Sequence, residues 1–374
     1  MSQKKKIVIL SHGAFNYIKN KTGNMLIRYR TEEVVAVLDR TKSGITAYDE
    51  LGYGENIPVL DNFDDCIDFK PDTLVIGNAS QGGFISDEYR VEVIKAIEFG
   101  CDIISGMHHF INDDEEFVQL AERFNVSLFD LRRPPDPPNF PKGSWHKRKI
   151  PVLLIVGTDC DTGKMTTAWE VSERLKSKDR KVEFIGTGQT GILLSGAGVP
   201  IDAVKADFMA GEIENMIDKV PDDTELIIVE GQGALTNQYY AGVTLGLLHG
   251  AMPDYMLMTH DPARDLDVTD YPMASMKLVM DMHLDLMSNF KESKFRDKKT
   301  VIIDKKQSRP ESNKHFGLKK TSSFSKKGSF SKPNFLNKSP SITSDFEKRK
   351  LAEQRATKRL KDDNENKDRK TKIG

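Results

Sequence analysis

The strongest chemical signal in the sequence is a phosphate-binding loop within residues 155–167, IVGTDCDTGKMTT. An apolar strand leads into Gly157, five residues follow, and Gly163 and Lys164 then precede a stretch that can form a helix. Glycines let backbone N–H groups turn toward a phosphate, while a helix amino terminus and a lysine supply positive charge. The alternative is a tight strand–helix turn that contains Gly-Lys by chance, and the flanking strand and helix favour phosphate binding over it. The predicted cofactor-binding residues are Gly157, Thr158, Asp159, Cys160, Asp161, Thr162, Gly163, Lys164, Met165, Thr166 and Thr167.

This loop departs from the standard nucleotide-binding pattern in two ways. The standard pattern has four residues between the glycines and a Ser or Thr directly after the lysine. Here five residues intervene, and Met165 occupies the hydroxyl position, with Thr166 and Thr167 one and two places later. The displaced hydroxyl weakens the case for a conventional magnesium–nucleotide site. We predict no metal ligands, and ATP with Mg²⁺ belongs to an alternative function given below.

A second candidate, Glu230, follows a later strand in the sequence VEGQG at 229–233. A carboxylate at a strand end beside a phosphate loop could ligate a metal or act as a base. The alternative is a glutamate that caps the turn by accepting hydrogen bonds from backbone amides. The loop spacing and this Val-Glu-Gly sequence resemble dethiobiotin synthetase, and that resemblance implies a glutamate close to the phosphates.

The sequence GTGQTG at 186–191 also follows a strand and is typical of a loop that approaches a ligand. Glycines permit close backbone contact, and Thr and Gln offer hydrogen bonds, although an ordinary turn is the alternative. Arg264 could bind a substrate carboxylate bidentately, or it could form a surface ion pair with Asp261 or Asp265. The predicted substrate-binding residues are Gly188, Gln189, Thr190, Gln232 and Arg264.

Three further residues could do chemistry. Cys160 lies within the phosphate loop, and a helix amino terminus would lower its pKa, so an acetyl-cysteine intermediate is conceivable. A small buried residue is the favoured interpretation. His260 lies just past a strand, where open α/β sheets place ligands, whereas His249 could be structural at a helix end.

Strand and helix patterns alternate through residues 7–133 and resume at 150–288. Parallel strands buried on both faces read as short apolar runs, and helices show apolar residues at spacings of three and four. The predicted strands are 7–10, 34–38, 73–77 and 102–105, and then one in each of IPVLLIVG, KVEFIGTG, ELIIVEG and DYMLMTH. The predicted helices are 87–99, 113–124, 165–176 and 206–220. This order predicts an α/β protein with two parallel, doubly wound sheets.

We predict four segments. Residues 1–133 form a Rossmann-like domain, 134–149 a proline-rich linker, 150–290 a P-loop NTPase-like α/β domain that ends early, and 291–374 a disordered basic tail. The tail carries 26 Lys and Arg against 11 Asp and Glu, so the remainder of the chain is acidic although the net charge is −1. The longest apolar runs are strand-sized and the three cysteines are scattered, which favours a cytoplasmic protein without membrane spans or disulfides.

Long collinear motifs across both halves resemble one family. They are GNASQGGFI, GMHHFINDD and LRRPP in the first half, and GTDCDTGKMTT, VEGQGAL, YAGVTLGLLHGAMPD and THDPAR in the second. This family was long carried as a domain of unknown function and labelled an epimerase/dehydratase. Its members are described as D-glutamate, or more broadly D-amino-acid, N-acetyltransferases.

The resemblance implies transfer of an acetyl group from acetyl-CoA to the amino group of a D-amino acid, most of all D-glutamate. Coenzyme A carries a pyrophosphate and a 3′-phosphate, which a phosphate loop can hold without hydrolysing them. An ammonium cannot attack a thioester, so a base is needed, and Glu230, His260 and His249 are the catalytic candidates. A homo-oligomer that binds a small-molecule amino acid is expected.

Three alternatives stay open. An ATP-dependent ligase or kinase of dethiobiotin-synthetase type would turn over ATP with Mg²⁺. An inactive, truncated body could carry a tail that binds nucleic acid, since its lysines are interleaved with phenylalanines. An NAD-dependent epimerase rests on the old label alone, because Asp39 ends a strand but no Gly-x-Gly-x-x-Gly follows the first strand.

Overall fold

The computed structural model describes residues 4–78 and 83–291, which form two parallel β-sheets with helices packed against them. The first sheet and its helices comprise β1 Ile7–Leu10, α1 Lys21–Tyr29, β2 Val34–Leu38, α2 Ala47–Leu51, β3 Val59–Leu60, β4 Thr73–Ile76, α3 Asp87–Phe99, β5 Asp102–Ser105, α4 Glu115–Phe124 and β6 Leu128–Asp130. The second comprises β7 Val152–Gly157, α5 Lys164–Lys176, β8 Val182–Ile185, α6 Gln189–Ser195, α7 Ala206–Asp218, β9 Leu226–Val229, α8 Ala241–Ala251, β10 Tyr255–Thr259 and α9 Met276–Ser288.

The first sheet has the strand order β3-β2-β1-β4-β5-β6, and every pair in it is parallel. All four residues of β1 and of β4 are buried, as expected for central strands covered by helices on both faces. The chain reverses its direction of travel across the sheet between β1 and β4. Ligands bind at such a reversal in open α/β sheets, beyond the carboxyl ends of the strands.

The second sheet is also parallel, with the order β10-β7-β9-β8. The chain passes from β7 over to β8, returns to β9 and then crosses to β10 on the other side of β7. The reversal therefore lies between β7 and β9, and the loops after these two strands are the phosphate loop and the segment that begins at Glu230. Both sheets lie within one compact unit.

The predicted fold class is confirmed, and all eight predicted strands are present. The helix predicted at 87–99 has those bounds, with the Ser86 side chain capping Tyr89 N and Gly100 ending it at a φ of +100°. Helix α4 begins at Glu115 rather than at 113, because the Asp114 side chain caps its first turn. The prediction did not include β3 and β6, which are two and three residues long.

The predicted proline-rich linker is held against the second half by its own backbone. The main-chain N–H of Asn139 donates to Glu212, and that of Ser144 donates to Glu214 at 2.5 Å, and both glutamates lie on α7 and are buried. The basic tail predicted from 291 lies outside the described residues apart from Lys291. Within the described ranges, every helix is too short or too polar to cross a bilayer.

Candidate functional site

The phosphate loop joins β7 to α5 and encloses the side chain of Lys164. The ammonium Nζ donates a hydrogen bond of 2.5 Å to the carbonyl oxygen of Asp159. Burial lowers the pKa of Lys164 from its ordinary 10.5 to about 8, because desolvation disfavours the charged form. Gly157 is required here, since a Cβ at that position would lie 2.6 Å from Thr162 Oγ1 and 3.0 Å from Lys164 Nζ. The loop therefore places one cation within an enclosure made of backbone.

Met165 occupies the position at which nucleotide-binding loops carry a hydroxyl, and its side chain packs against the apolar core. Thr167 belongs to the first turn of α5, where its N–H donates to Gly163 O at 2.9 Å. The loop consequently lacks a hydroxyl directly after the lysine, where Ser or Thr would contact Mg²⁺.

A network of hydrogen bonds fixes the conformation of the loop through the buried carboxylate of Asp159. Asn237 Nδ2 donates to Oδ1 at 2.8 Å, and Val268 N donates to Oδ2 at 2.9 Å. Arg264 also donates to Oδ2, and its second terminal nitrogen donates to Cys160 O at 2.9 Å. The ion-pair partner of Arg264 is therefore the loop, and not Asp261 or Asp265. Its predicted contact with a substrate carboxylate stays a prediction.

Strand β10 brings His260 to the same loop. Its Nδ1 lies 2.9 Å from Thr158 Oγ1, and the neighbouring Thr259 Oγ1 lies 2.8 Å from Thr162 Oγ1. His260 thus lies beside the phosphate loop, as its position just past a strand predicts.

His249 lies elsewhere. It is in the last turn of α8 and packs against Phe290 with ring centroids 5.6 Å apart. Asp254, just beyond this helix, donates its N–H to Val152 O at the start of β7, whereas the phosphate loop follows the end of β7. A six-residue strand is roughly 20 Å long. The structure therefore places the His249 imidazole near the amino ends of the strands, away from the phosphate loop, and its catalytic role stays a prediction.

Glu230 follows β9 and is buried next to the phosphate loop. Its Oε2 accepts hydrogen bonds from Thr187 N at 2.8 Å and from Gly188 N at 3.3 Å. This is the turn-capping geometry that the sequence offered as the alternative to a functional role. Burial nevertheless raises the pKa of Glu230 from 4.5 to about 7, and the two amide hydrogen bonds oppose that shift only in part. The carboxylate is thus fixed in place and able to exchange a proton near neutral pH.

Gly231 links Glu230 to the phosphate loop. A Cβ on this residue would collide with the carbonyl oxygen of Ile155 and would lie 3.3 Å from Lys164 Cδ. Only glycine allows the chain after β9 to approach β7 and Lys164 this closely. The residue that follows Glu230 therefore lies directly beside the side chain of Lys164.

The GTGQTG segment is a strand–helix turn. Gly188 precedes α6, which begins at Gln189, and the Gln232 side chain donates to Thr187 O. Thr190 is buried in α6, and its hydroxyl lies 2.9 Å from that of Thr22. The predicted substrate contacts of Gly188, Gln189, Thr190 and Gln232 stay predictions.

Residues of the first half also border this region, and they were not predicted from the sequence. Lys21, the first residue of α1, forms an ion pair with Asp161 in the phosphate loop, and its charge lowers the pKa of Glu230. Arg132, two residues after β6, forms an ion pair with Asp202, which follows α6. Arg132 could have been found as a charged residue within the LRRPP motif that carries the family resemblance, whereas nothing local to the sequence distinguishes Lys21 from its neighbours.

Two minor candidates have structural explanations. Burial raises the pKa of the Cys160 thiol to about 11, which disfavours the thiolate that an acetyl-cysteine would require. The buried carboxylate of Asp39 accepts hydrogen bonds from Gly13 N and Phe15 N in the loop after β1 and from Thr41 N in the loop after β2. The same carboxylate is therefore already engaged and does not support a dinucleotide site.

Comparison with protein families gives two collinear matches. Residues 40–134 match the Rossmann-like domain of the family of unknown function DUF1611, and residues 139–303 match its P-loop domain. A crystal structure of a DUF1611 family protein from Anabaena variabilis superimposes with a TM-score of 0.71 at 28% sequence identity, covering 76% of this chain and 82% of that one.

Two curated relatives carry the name D-glutamate N-acetyltransferase. The protein from Tritonibacter scottomollicae is 41% identical over 216 residues, which are 57% of this chain and 64% of the relative. The protein from a Pseudoalteromonas species is 42% identical over 188 residues, which are 50% of this chain and 56% of the relative. The chain thus spans less than two thirds of the length of these two relatives.

Proposed function

The chain belongs to the DUF1611 family. From this premise we propose that it transfers the acetyl group of acetyl-CoA to the amino group of a D-amino acid, with D-glutamate as the preferred acceptor. The names of the two curated relatives support the reaction class and the acceptor. The structural observation that carries the proposal is Glu230, a buried carboxylate with a pKa near 7 that lies beside a phosphate loop.

The phosphate loop would bind coenzyme A through its phosphates. Lys164 and the backbone N–H groups after Gly157 supply the positive field. Lys21 adds a further cation close to the loop, where it forms an ion pair with Asp161. Acyl transfer leaves the phosphates unchanged, so it does not require a hydroxyl–magnesium contact after the lysine. The packing of Met165 in the core is therefore compatible with acetyl-CoA and less so with a magnesium–ATP complex.

Glu230 would act as the general base. Its carboxylate takes one proton from the acceptor's ammonium, and the resulting amine attacks the thioester carbon. The new C–N bond forms as the C–S bond breaks, and the leaving thiolate takes up the second proton that the nitrogen gives up as it becomes an amide. The amide hydrogen bonds from Thr187 and Gly188 hold Oε2, which leaves Oε1 without a hydrogen bond among the described residues. That second oxygen is the one available to the ammonium.

His260 is a second candidate for proton transfer, because its ring lies at the phosphate loop. Its Nδ1 is engaged with Thr158, so only Nε2 could meet a substrate. Glu230 is preferred, since its pKa suits exchange near neutral pH and burial protects it from bulk water.

The test is release of free coenzyme A from acetyl-CoA in the presence of a panel of D- and L-amino acids. The variant Lys164→Ala removes the loop cation, and Lys178→Ala removes an exposed lysine past the end of α5 as its control. We expect release that requires a D-amino acid, is lost in Lys164→Ala and persists in Lys178→Ala. A folded wild-type protein that releases no coenzyme A with any acceptor, or that hydrolyses ATP instead, would overturn the proposal.

A further inference from the structure

An ion pair between the two halves borders the region around Glu230. Arg132 comes from the segment after β6, and Asp202 from the turn after α6, and the side chains are 10% and 16% exposed. Arg132 donates from Nε to Gly106 O at 2.8 Å and from Nη1 to Asp202 Oδ2. The guanidinium is therefore held by both halves at once.

This pair is incompletely satisfied. Asp202 Oδ1 is buried and accepts no hydrogen bond within the described part of the chain. Arg132 Nη2 likewise donates none to a residue in the described ranges, since both of its hydrogen bonds use the other two nitrogens. A buried carboxylate oxygen and a mostly buried guanidinium nitrogen are ordinarily both paired. Within the described residues, Asp202 thus has one unpaired acceptor and Arg132 one unpaired donor.

The pair is two hydrogen bonds away from the base. Ile201, next to Asp202, donates its N–H to Thr187 O at 3.0 Å, and Thr187 N donates to Glu230 Oε2 at 2.8 Å. On the other side, Gly106 abuts Gln189, because a Cβ on Gly106 would lie 2.9 Å from Gln189 Cγ. The charge of Asp202 also raises the pKa of Glu230, so the two carboxylates interact electrostatically.

Asp202 raises and Lys21 lowers the pKa of Glu230, and a further cation close to the two carboxylates would stabilise the charged form of both. An ammonium between Asp202 and Glu230 would relieve their repulsion and would occupy the open lone pairs of Oδ1. An anionic carboxylate on the same molecule would complement the open N–H groups of Arg132. A molecule that carries both groups on adjacent positions is a zwitterionic amino acid.

We propose that Asp202 and Arg132 bind the acceptor amino acid as a zwitterion, with Asp202 Oδ1 accepting from its amino group and Arg132 Nη2 donating to its carboxylate. This inference rests on the proposed function, because it places the nucleophilic nitrogen beside Glu230. The first half then contributes one binding residue, Arg132, and the second half contributes the other, Asp202.

The experiment measures binding, so that it does not depend on turnover. D-Glutamate and D-2-hydroxyglutarate, which has a hydroxyl in place of the ammonium, are titrated into the full chain with coenzyme A present. The variants are Asp202→Asn and Arg132→Lys, and Arg28→Lys is the matched control, because Arg28 forms another ion pair between the halves, with Glu170 at 3.3 Å. Coenzyme A affinity and the melting temperature are recorded for each protein.

We expect the wild-type protein to prefer D-glutamate over D-2-hydroxyglutarate by at least tenfold. Asp202→Asn should remove most of that preference, and Arg132→Lys should weaken both ligands by about 10- to 100-fold, a loss typical of a bidentate arginine contact. Coenzyme A affinity should stay within about twofold, and Arg28→Lys should change none of these values.

Two results would overturn the inference. The first is that the wild-type protein binds neither ligand when coenzyme A is bound. The second is that both variants lose coenzyme A affinity and melting temperature in proportion to their loss of amino-acid affinity, which is the result expected if the ion pair is only structural. If D-glutamate binds as expected but no coenzyme A is released from acetyl-CoA, the subsite stands and the acetyl transfer fails.

Discussion

The hydroxyl oxygens of Thr22 and Thr190 lie 2.9 Å apart in the buried contact between the two halves, although 168 residues separate them in the chain. Thr22 is in the first turn of α1, and Thr190 is in the first turn of α6, which begins directly after the two amides that hold Glu230. This single hydrogen bond thus ties the first half to the segment that positions the base candidate.

Substituting either threonine by valine tests that contact. Each single variant leaves one buried hydroxyl without its partner, which should cost about 1–3 kcal/mol of unfolding free energy. The double variant Thr22→Val/Thr190→Val should cost less than the sum of the two, because neither hydroxyl remains. Urea unfolding of the four proteins measures the coupling, and strictly additive costs would show that the two hydroxyls do not interact.

The affinity of the phosphate loop should decrease in alkaline solution. The Lys164 pKa of about 8 means that the free protein loses this charge as the pH rises above 8. The dissociation constant for acetyl-CoA should therefore rise by up to about tenfold per pH unit between 8 and 10. Calorimetric titrations at pH 7, 8, 9 and 10 measure it. Lys164→Arg keeps its charge over this range, and a profile parallel to that of the wild type would contradict the assignment.

The acetyl-transfer rate should depend on the ionisation of Glu230. Its pKa is raised to about 7, so the basic form predominates only above that pH, and kcat/KM should rise as the pH increases toward and through 7. Glu230→Gln should lose about 10²–10⁴-fold in kcat with unchanged coenzyme A affinity. Glu183→Gln, at an exposed glutamate in β8, is the control. If Glu230→Gln kept the wild-type pH profile, Glu230 would not be the base and His260 would be the remaining candidate beside the phosphate loop.

The same group should make folding stability depend on pH. Because the folded pKa lies above the ordinary value of 4.5, the protonated form of Glu230 favours the folded state, and that contribution is lost as the pH rises through 7. Relative to the wild type, Glu230→Gln should therefore gain stability between pH 5 and pH 8, by an amount on the order of 3 kcal/mol. Urea unfolding at both pH values measures the difference, and a constant offset would contradict the raised pKa.

A methyl group at Gly191 should dislodge the base. A Cβ there would collide with Glu230 Oε2, so Gly191→Ala should abolish acetyl transfer and lower stability by about 1–3 kcal/mol. In contrast, Gly242 in α8 has no heavy atom within 4 Å of its would-be Cβ, and Gly242→Ala should gain up to about 1 kcal/mol. Activity assays and thermal melts compare the two variants, and equal behaviour of the two would refute the close contact.

The buried strands and their parallel arrangement could be predicted from the sequence, because central strands covered by helices on both faces appear as short apolar runs, whereas the order of the strands was not predicted. Four-residue apolar runs such as Ile7–Leu10 and Thr73–Ile76 allow few other interpretations. The two strands that were not predicted, β3 and β6, are short, and the residues of β6 are only partly buried or exposed, so neither presents such a run.

Only those parts of the candidate site that are formed by short, continuous stretches of sequence could be predicted. The phosphate loop and Glu230 each follow a strand, and the rule for open sheets brings them together. Contacts across the halves could not be predicted in this way, because Lys21 meets Asp161 across 140 residues and Arg132 meets Asp202 across 70. The location of His249 could not be predicted either, since a histidine in a family-like motif carries no information about whether it lies at the amino or the carboxyl ends of the strands.

The segment that joins the halves limits where the chain can be divided. Glu212 and Glu214 are buried on α7, and their hydrogen-bond donors include the backbone of Asn139 and Ser144. A fragment that begins at residue 150 would lack those donors, so both carboxylates would be buried without these hydrogen bonds. Each carboxylate would then have to become protonated or be hydrated by water that enters the interior. The proline-rich stretch is thus part of the second half's own structural integrity, and any attempt to express that half by itself has to start upstream of residue 139.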